Sequence, residues 1–483
     1  MRAALILAGC FLASLAAAQP AALPQPPPAA LGTPPPVDVP VAPKAKPVVK
    51  AKPKPVAPVA HTRVVAKDDP RPTIYPGAAD AIQDAAERYR QIAESGGWPT
   101  LPAGLSLKAG QTGDAVITLR HRLIREGDLD PELGDNPVFD PALVRAVKLF
   151  QARHGQTQNG LVAGATLKAL RVSAQERYQA LNESARRLAQ RQFGFGPRYV
   201  VVNIPSASVE AIAAGQVERR HIAVVGKADR PSPEVETRIT NVNFNPTWTV
   251  PVSIIKKDII PKMQKDPGYL AKSKIRIFGA SGAEIDPARI DWNTERATAF
   301  TLRQDPGSGN SLGQIRIDMP NRDAVYMHDT PSKRLFLRDD RFHSSGCVRV
   351  ENVRDFVSWL LKPTPGPGGG WDRQDIDDIL KTDTRKDVRL KDYVPVIWAY
   401  LTGYVTPDGQ VHFRDDVYGL DQVAILSMMP DETPTSALGT PRPASPNDAS
   451  QPLPRRTSAT LAQPPARPKA MRPDGPPQQR LDP

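Results

Sequence analysis

In the stretch YMHDTPSKRLFLRDDRFHSSGCVRVENVRDFVSWLL, Cys347 follows Gly346, and Arg349 stands two positions beyond it. His343 lies four positions upstream and His328 nineteen. The chain holds only seven His and two Cys, so this clustering is a chemical signal. A free thiol with a pKa near about 8.5 is only a few per cent thiolate at neutral pH. A neighbouring imidazole can take its proton, or hold the thiolate as imidazolium and bring the pKa to about 3.5–7.5. Attack on a carbonyl then creates an oxyanion, and each aligned donor is worth roughly 3–4 kcal/mol in the transition state. Backbone N–H groups around Ser345, Gly346 and Cys347 could donate, as could the hydroxyl of Tyr326, two before His328 and so on the same strand face. Arg349 could grip a substrate carboxylate in bidentate fashion or pair with Glu351. The inert alternative is that Cys347 is a buried small hydrophobe. His328 and His343 lack a zinc-ligand spacing such as H-E-x-x-H.

The elements that must position these residues are mostly short strands. Runs rich in β-branched residues, bounded by Gly or Pro, predict strands at Arg198–Ile204, His221–Val225, Thr237–Val242, Ile275–Phe278, Ile315–Asp318, Ala324–His328, Val394–Tyr400 and Val411–Phe413. Helices are expected at Ser253–Lys265, Val353–Leu361 and Asp372–Leu380. This pattern predicts a mostly β catalytic domain at about 195–425. Upstream, 71–104 reads as a helical scaffold segment with its helix at 79–93, and 173–194 as a helical connector. Between them, 105–172 is a separate helical unit. Val116, Leu119 and Leu123 share one helical face, and Leu143, Val147 and Phe150 another. Asp140-Pro141 is a strong helix start.

Two stretches resemble known families. The segments LKAGQTGDAVITLRHRL and FDPALVRAVKLFQARHGQTQNGLVAGATLKAL resemble the three-helix peptidoglycan-binding domain, through Gly113-Asp114, Phe139-Asp140, Phe150-Gln151, His154-Gly155, Asn159-Gly160 and Thr166. His328 followed by Ser344-Ser345-Gly346-Cys347-Val348-Arg349-Val350 resembles the L,D-transpeptidases with a YkuD-type catalytic domain. Phe244-Asn245-Pro246-Thr247-Trp248-Thr249-Val250-Pro251 resembles the long periplasmic branch, which carries a capping insertion, here at about 252–322. The resemblance implies an α+β protein: a mostly β catalytic domain with that insertion, plus the small three-helix domain. It makes Cys347 the nucleophile and His328 the base. Tyr326, Ser345 and Gly346 become oxyanion or orienting groups, and Arg349, Trp248 and His343 substrate-binding ones. Most members have His where Ser345 stands, so His343 does not map onto the usual second histidine.

The implied reaction uses peptidoglycan stem peptides as donor and acceptor. Cys347 takes the acyl group of the third residue of a tetrapeptide stem, releases D-Ala and passes the acyl group to an amine, giving a 3→3 cross-link. No metal or organic cofactor is implied, and carbapenems are expected to acylate Cys347. Two rivals remain: a cysteine L,D-carboxypeptidase or endopeptidase, with water as acceptor, and a noncatalytic wall-binding scaffold built on 105–172.

Composition sets the surroundings. Of 53 Pro, 14 fall in 20–67 and 13 in 433–483, so the linker at 19–70 and the tail at 433–483 are expected to be disordered. Those two stretches carry +6 and +4 of the formal +12. Charge carried on tails rather than on a folded face argues against a nucleic-acid reader. It fits attraction to an anionic polymer or to other cell-wall enzymes. MRAALILAGCFLASLAAAQP reads as a signal peptide at 1–18, hence a periplasmic protein without a transmembrane span. Leu7-Ala8-Gly9-Cys10 offers a lipoprotein alternative, anchored through Cys10.

Overall fold

The computed structural model describes residues 64–421 apart from Gly368. The segment at 1–18 with Cys10, the linker to residue 63 and the tail at 433–483 lie outside the described residues. Five helices come first: α1 (Ala78–Glu94), α2 (Asp114–Glu126), α3 (Pro141–Arg153), α4 (Gly164–Leu170) and α5 (Ala174–Ala189). Four strands follow, β1 (Arg198–Asn203), β2 (Ser208–Ala213), β3 (Gln216–Gly226) and β4 (Val235–Phe244). An inserted unit then runs through β5 (Trp248–Thr249), α6 (Val252–Ile254), α7 (Ile260–Lys265), α8 (Tyr269–Lys272), β6 (Ile275–Phe278), β7 (Glu284–Ile285) and β8 (Thr301–Gln304). The chain returns through β9 (Ile315–Asp318), β10 (Met327–His328), β11 (Phe342–Ser344), β12 (Val348–Val350), α9 (Val353–Leu361), α10 (Arg373–Lys381), β13 (Lys386–Ala399), β14 (Gly403–Val405) and β15 (Val411–Phe413).

The main sheet closes on itself. Its order runs β11-β3-β12-β10-β9-β4-β13-β1-β2, and β2 pairs again with β3. Closure leaves few open edges to attract other strands. The apolar run Tyr199-Val200-Val201-Val202 in β1 is buried on both faces. Val200 and Val202 enter the barrel core with Val396, Trp398 and Phe356. Tyr199 and Val201 meet Ile82, Ala85 and Tyr89 of α1 and Leu181 and Ala185 of α5. A strand covered on both sides loses its polar alternation, hence the continuous hydrophobic run.

Helices α2 to α4 enclose their own core around Val116, Leu119, Leu123, Leu143, Val147 and Phe150. The Asp140 carboxylate accepts from Leu143 N–H at 2.8 Å, a cap worth about 1 kcal/mol. Its motif polar groups are spent on each other. Gln151 Nε2 donates to Asn159 Oδ1 at 2.8 Å and to Thr166 Oγ1 at 3.1 Å, and Gln151 Oε1 accepts from Gly160 N–H. His154 Nδ1 bonds the Phe150 carbonyl, and its ring stacks on Phe150. These residues therefore shape the domain rather than face a ligand.

The inserted unit has a separate core, including Trp248, Ile255, Ile259, Met263, Ile275 and Leu302, under a small sheet of order β5-β8-β6-β7. The helix expected at Ser253–Lys265 is interrupted by a π segment at Ile255–Ile259. Pro261 has no N–H and its ring crowds the preceding turn, so the ladder widens just before it.

Three expectations change. The strand expected at Ala324–His328 is only Met327–His328. Ala324 lies at φ 52°, and the Asn321 side chain bonds both the N–H and the carbonyl of Val325, holding a turn. Residues 64–70, assigned by composition to the disordered linker, are packed. Arg220 donates to the Ala66 and Asp69 carbonyls at 2.7 Å each, and Val64 N–H reaches the Gly155 carbonyl at 3.0 Å. Strand β13 begins at Lys386 rather than Val394, adding Val388 and Leu390 to the core.

Candidate active site

Strand register gathers the site. In β10 and β12, Met327 pairs with Val348 and His328 with Arg349, in parallel. Met327 and Val348 are in the barrel core, so by alternation Tyr326, His328, Cys347 and Arg349 share the opposite face. Strand β9 extends it. Arg316 pairs with His328 and Ile317 with Met327, and Ile315 and Ile317 face the core. Arg316 and Asp318 thus join the same polar face. Arg316 lies 4.9 Å over the Tyr326 ring, and the Tyr326 and His328 rings meet edge-on at 5.8 Å.

The loop that carries Cys347 is held from beneath. Gly346 takes φ 117°, a conformation that strains any residue with a Cβ. Its N–H donates to Ser344 Oγ at 3.2 Å, and Ser344 Oγ donates to the Cys347 carbonyl. Ser232 Oγ donates to the Gly346 carbonyl at 2.7 Å, and the Tyr418 hydroxyl to the Gly226 carbonyl at 2.6 Å. Gly346 N–H is engaged, whereas the N–H groups of Ser345 and Cys347 have no acceptor among the described residues. Exposed Ser345 accepts from Arg230 at 3.1 Å, and Arg230 also pairs with Asp258 of the π segment at 2.5 Å. The inserted unit is thereby fastened to the loop that carries the thiol.

The sulfur does not become acidic. Burial pushes the Cys347 thiol up to about 11, against a hydrogen bond from the Tyr326 backbone and the charges of Arg349 and Arg316. Burial, then the Arg349 charge, brings His328 down to about 3, while bonds to the Asp329 and Leu312 carbonyls oppose that. The expected thiolate–imidazolium pair is thus replaced at rest by neutral thiol and neutral imidazole. For each group, desolvation of the charged form is the largest cause. His328 Nδ1 donates to the Asp329 carbonyl, which leaves Nε2 as the basic nitrogen. Burial also raises the Tyr326 phenol, so it stays a neutral donor.

Arg349 has no acidic partner among the described residues. Glu351, the alternative partner in sequence, pairs with Lys67 at 2.6 Å. Arg349 Nε is buried without an acceptor, and burial lowers the guanidinium's pKa. Trp248 is buried in the core of the inserted unit and hydrogen-bonds the Tyr326 side chain. His343 is on β11, its Nε2 bonded to the Asp340 carbonyl at 3.0 Å. Sequence reading missed Arg316, Asp318, Arg230 and Ser232. The alternation Ile315-Arg316-Ile317-Asp318 was a usable signal for the first two, since it puts both polar groups on one face. Among the described residues, no three His, Cys, Asp or Glu cluster as a metal site, and no helix is long and apolar enough to cross a membrane.

Residues 197–368 match the family described as the L,D-transpeptidase catalytic domain, YkuD. Residues 112–170 match the one described as "Putative peptidoglycan binding domain". A Haemophilus influenzae protein named "Putative L,D-transpeptidase" is 33% identical over 224 residues, covering 46% of this chain and 44% of that one. The match spans less than half the length of this relative. The solved L,D-transpeptidase (Yku) of Stackebrandtia nassauensis shares 13% identity at a TM-score of 0.23, covering 54% of this chain and 90% of that one. Mycobacterium tuberculosis L,D-transpeptidase 1 shares 13% at 0.17, covering 42% and 61%. Both structural likenesses are too slight to bear on the site.

Proposed function

We propose that this chain, whose residues 197–368 match the L,D-transpeptidase catalytic domain and whose residues 112–170 match a peptidoglycan-binding type, cross-links peptidoglycan through a cysteine thioester. The observation that carries this reading is the shared polar face of Cys347, Tyr326 and His328 beside an arginine without an acidic partner. Cys347 Sγ attacks the carbonyl of the third residue of a tetrapeptide stem while His328 Nε2 takes its proton. Cys347 N–H and the Tyr326 hydroxyl meet the oxyanion, and Arg349 holds a donor carboxylate. Collapse breaks the C–N bond, and D-Ala leaves with the proton from His328. An amine then attacks the thioester, giving a 3→3 cross-link. None of these steps requires a metal or organic cofactor. The segment at 1–18 would direct the chain to the periplasm, and the tails would approach the wall or its other enzymes.

The test is intact-protein mass spectrometry with imipenem. Wild type should gain one adduct and Cys347→Ala none; mass addition persisting in the variant would overturn the assignment. His328→Ala should slow acylation far more than His343→Ala, and equal losses would remove His328 as base. Incubation with tetrapeptide muropeptides should yield dimers. Trimmed monomers alone would favour hydrolysis.

A further inference from the structure

The polar face does not stop at the thiol. Strand β4 continues it, with Asn241 opposite Asp318 and Asn243 opposite Arg316. Val242 and Phe244 face the core. Cross-strand register therefore lays two polar rows over the outside of the barrel. One runs Asn243, Arg316, His328, Arg349; the other runs Asn241 and Asp318 toward Tyr326 and Cys347. Over them lies a groove of about 470 Å³ lined by Thr240, Asn241, Arg316, Asp318, Asn321 and Tyr326. Tyr326 lines it, and the Tyr326 backbone hydrogen-bonds the Cys347 thiol, so one residue joins the groove to the sulfur.

Arg316 is the cation of this groove. Its Nε donates to Asp318 at 2.5 Å, and its two Nη groups have no protein acceptor among the described residues. Its side chain is 35% exposed, whereas the Arg349 guanidinium is largely covered and closest to the thiol in its electrostatics. The two arginines therefore suit different stages. Arg349 serves a group already seated against the sulfur, and Arg316 one arriving from solvent. Free Nη groups in a fixed plane match a carboxylate, and Asp318, bonded to Nε, fixes that plane.

We propose that Arg316, held in plane by Asp318, selects the acyl acceptor by gripping a carboxylate on the carbon that bears the attacking amine. The D-centre of a diaminopimelate stem and a free D-amino acid both have this chemistry; the ε-amine of a lysine does not. The proposal rests on the acyl-transfer reading above. In the step concerned, the acceptor nitrogen forms a C–N bond with the thioester carbonyl as the C–S bond breaks. The amine proton passes to His328, which returns it to the departing sulfur. Arg316 is a specificity residue in this step, holding the carboxylate so that the amine faces the thioester.

The experiment compares acceptors within each protein, wild type, Arg316→Gln and Arg316→Lys. A tetrapeptide muropeptide is the donor; D-methionine, D-methionine methyl ester and a second stem peptide are the acceptors. Wild type should prefer the free acid over the ester by about tenfold or more in kcat/KM, the worth of a charge-assisted hydrogen bond. Arg316→Gln should bring that ratio close to one, and Arg316→Lys should restore part of it. Parallel loss of transfer to the stem peptide would assign the diaminopimelate centre to the groove. Loss confined to D-methionine would assign the free amino acid. An unchanged acid-to-ester ratio in Arg316→Gln, with the imipenem adduct still forming, would overturn this inference and leave the acyl-transfer reading standing. Absence of the adduct in wild type would overturn that reading instead.

Discussion

Cys347 and His328 are held in the forms that cost least to bury. The thiol is pushed up to about 11 and the imidazole down to about 3, each chiefly by desolvation. Between those values both are neutral, so in the proposed reaction the proton would move as the sulfur attacks, with His328 as general base rather than standing counter-ion. The consequence can be read without substrate. If the thiolate fraction governs reaction with iodoacetamide, alkylation of Cys347 should climb about tenfold per pH unit from neutral pH through pH 9, without a neutral plateau. A fast rate independent of pH between about 5 and 8 would mean an ion pair forms after all. Arg349 and Arg316 both favour the thiolate but do not overcome burial. Acylation by a bound substrate is therefore expected to depend on His328 even at pH 9.

At the scale of elements, the site is two short strands braced from outside. Strand β10 has two residues and β12 three, too few for a pattern of their own. Their register comes from β9 and β3, with which they pair. This explains what could be read in advance. Cys347, His328, Gly346 and Arg349 could be singled out in advance by residue type and spacing, and strand register places His328 opposite Arg349. Strands Ile275–Phe278 and Ile315–Asp318 were legible because alternation survives over four residues. Strands β11 and β12 and the row through Arg316 were not, because cross-strand neighbours are set by pairing between segments far apart in sequence. The mutual bonding of Gln151, Asn159 and Thr166 was hidden for the same reason.

The helical domain is tied to α1 by a buried network that also escaped the sequence. Glu126 pairs with Arg122 at 2.8 Å and Arg153 at 2.5 Å, and accepts from the Tyr89 hydroxyl at 3.3 Å. Removing one member leaves buried guanidinium charge uncompensated. Glu126→Gln should therefore cost roughly 3–5 kcal/mol, read as a lower denaturation midpoint at unchanged slope. A loss below about 1 kcal/mol would show that the network is solvated and contributes little.

Among the described residues of the whole molecule, four imidazoles, His154, His221, His328 and His412, are buried, and burial is the first cause of the fall in each one's pKa. In the unfolded chain each would titrate near about 6.5. Below that pH the unfolded state takes up protons that the native state refuses, so stability falls as pH falls. Asp421 acts in the opposite sense. Burial, then Asp416, raises it to about 6, so between that value and the unfolded value near about 3.9 the native state holds the extra proton. Near pH 5 the balance is four protons bound on unfolding against one released. At about 1.36 kcal/mol per proton and pH unit, the slope is at most about 4 kcal/mol per unit. Two pH units of such a slope would approach the whole stability of an ordinary domain, about 5–15 kcal/mol. The melting temperature should therefore drop steeply between pH 7 and 5, before most carboxylates titrate. His221→Gln, which removes one of the four, should flatten the slope by about one proton, measured by calorimetry or dye-monitored melting across that range. A melting temperature constant from pH 7 to 5 would mean that these imidazoles accept protons in the folded protein.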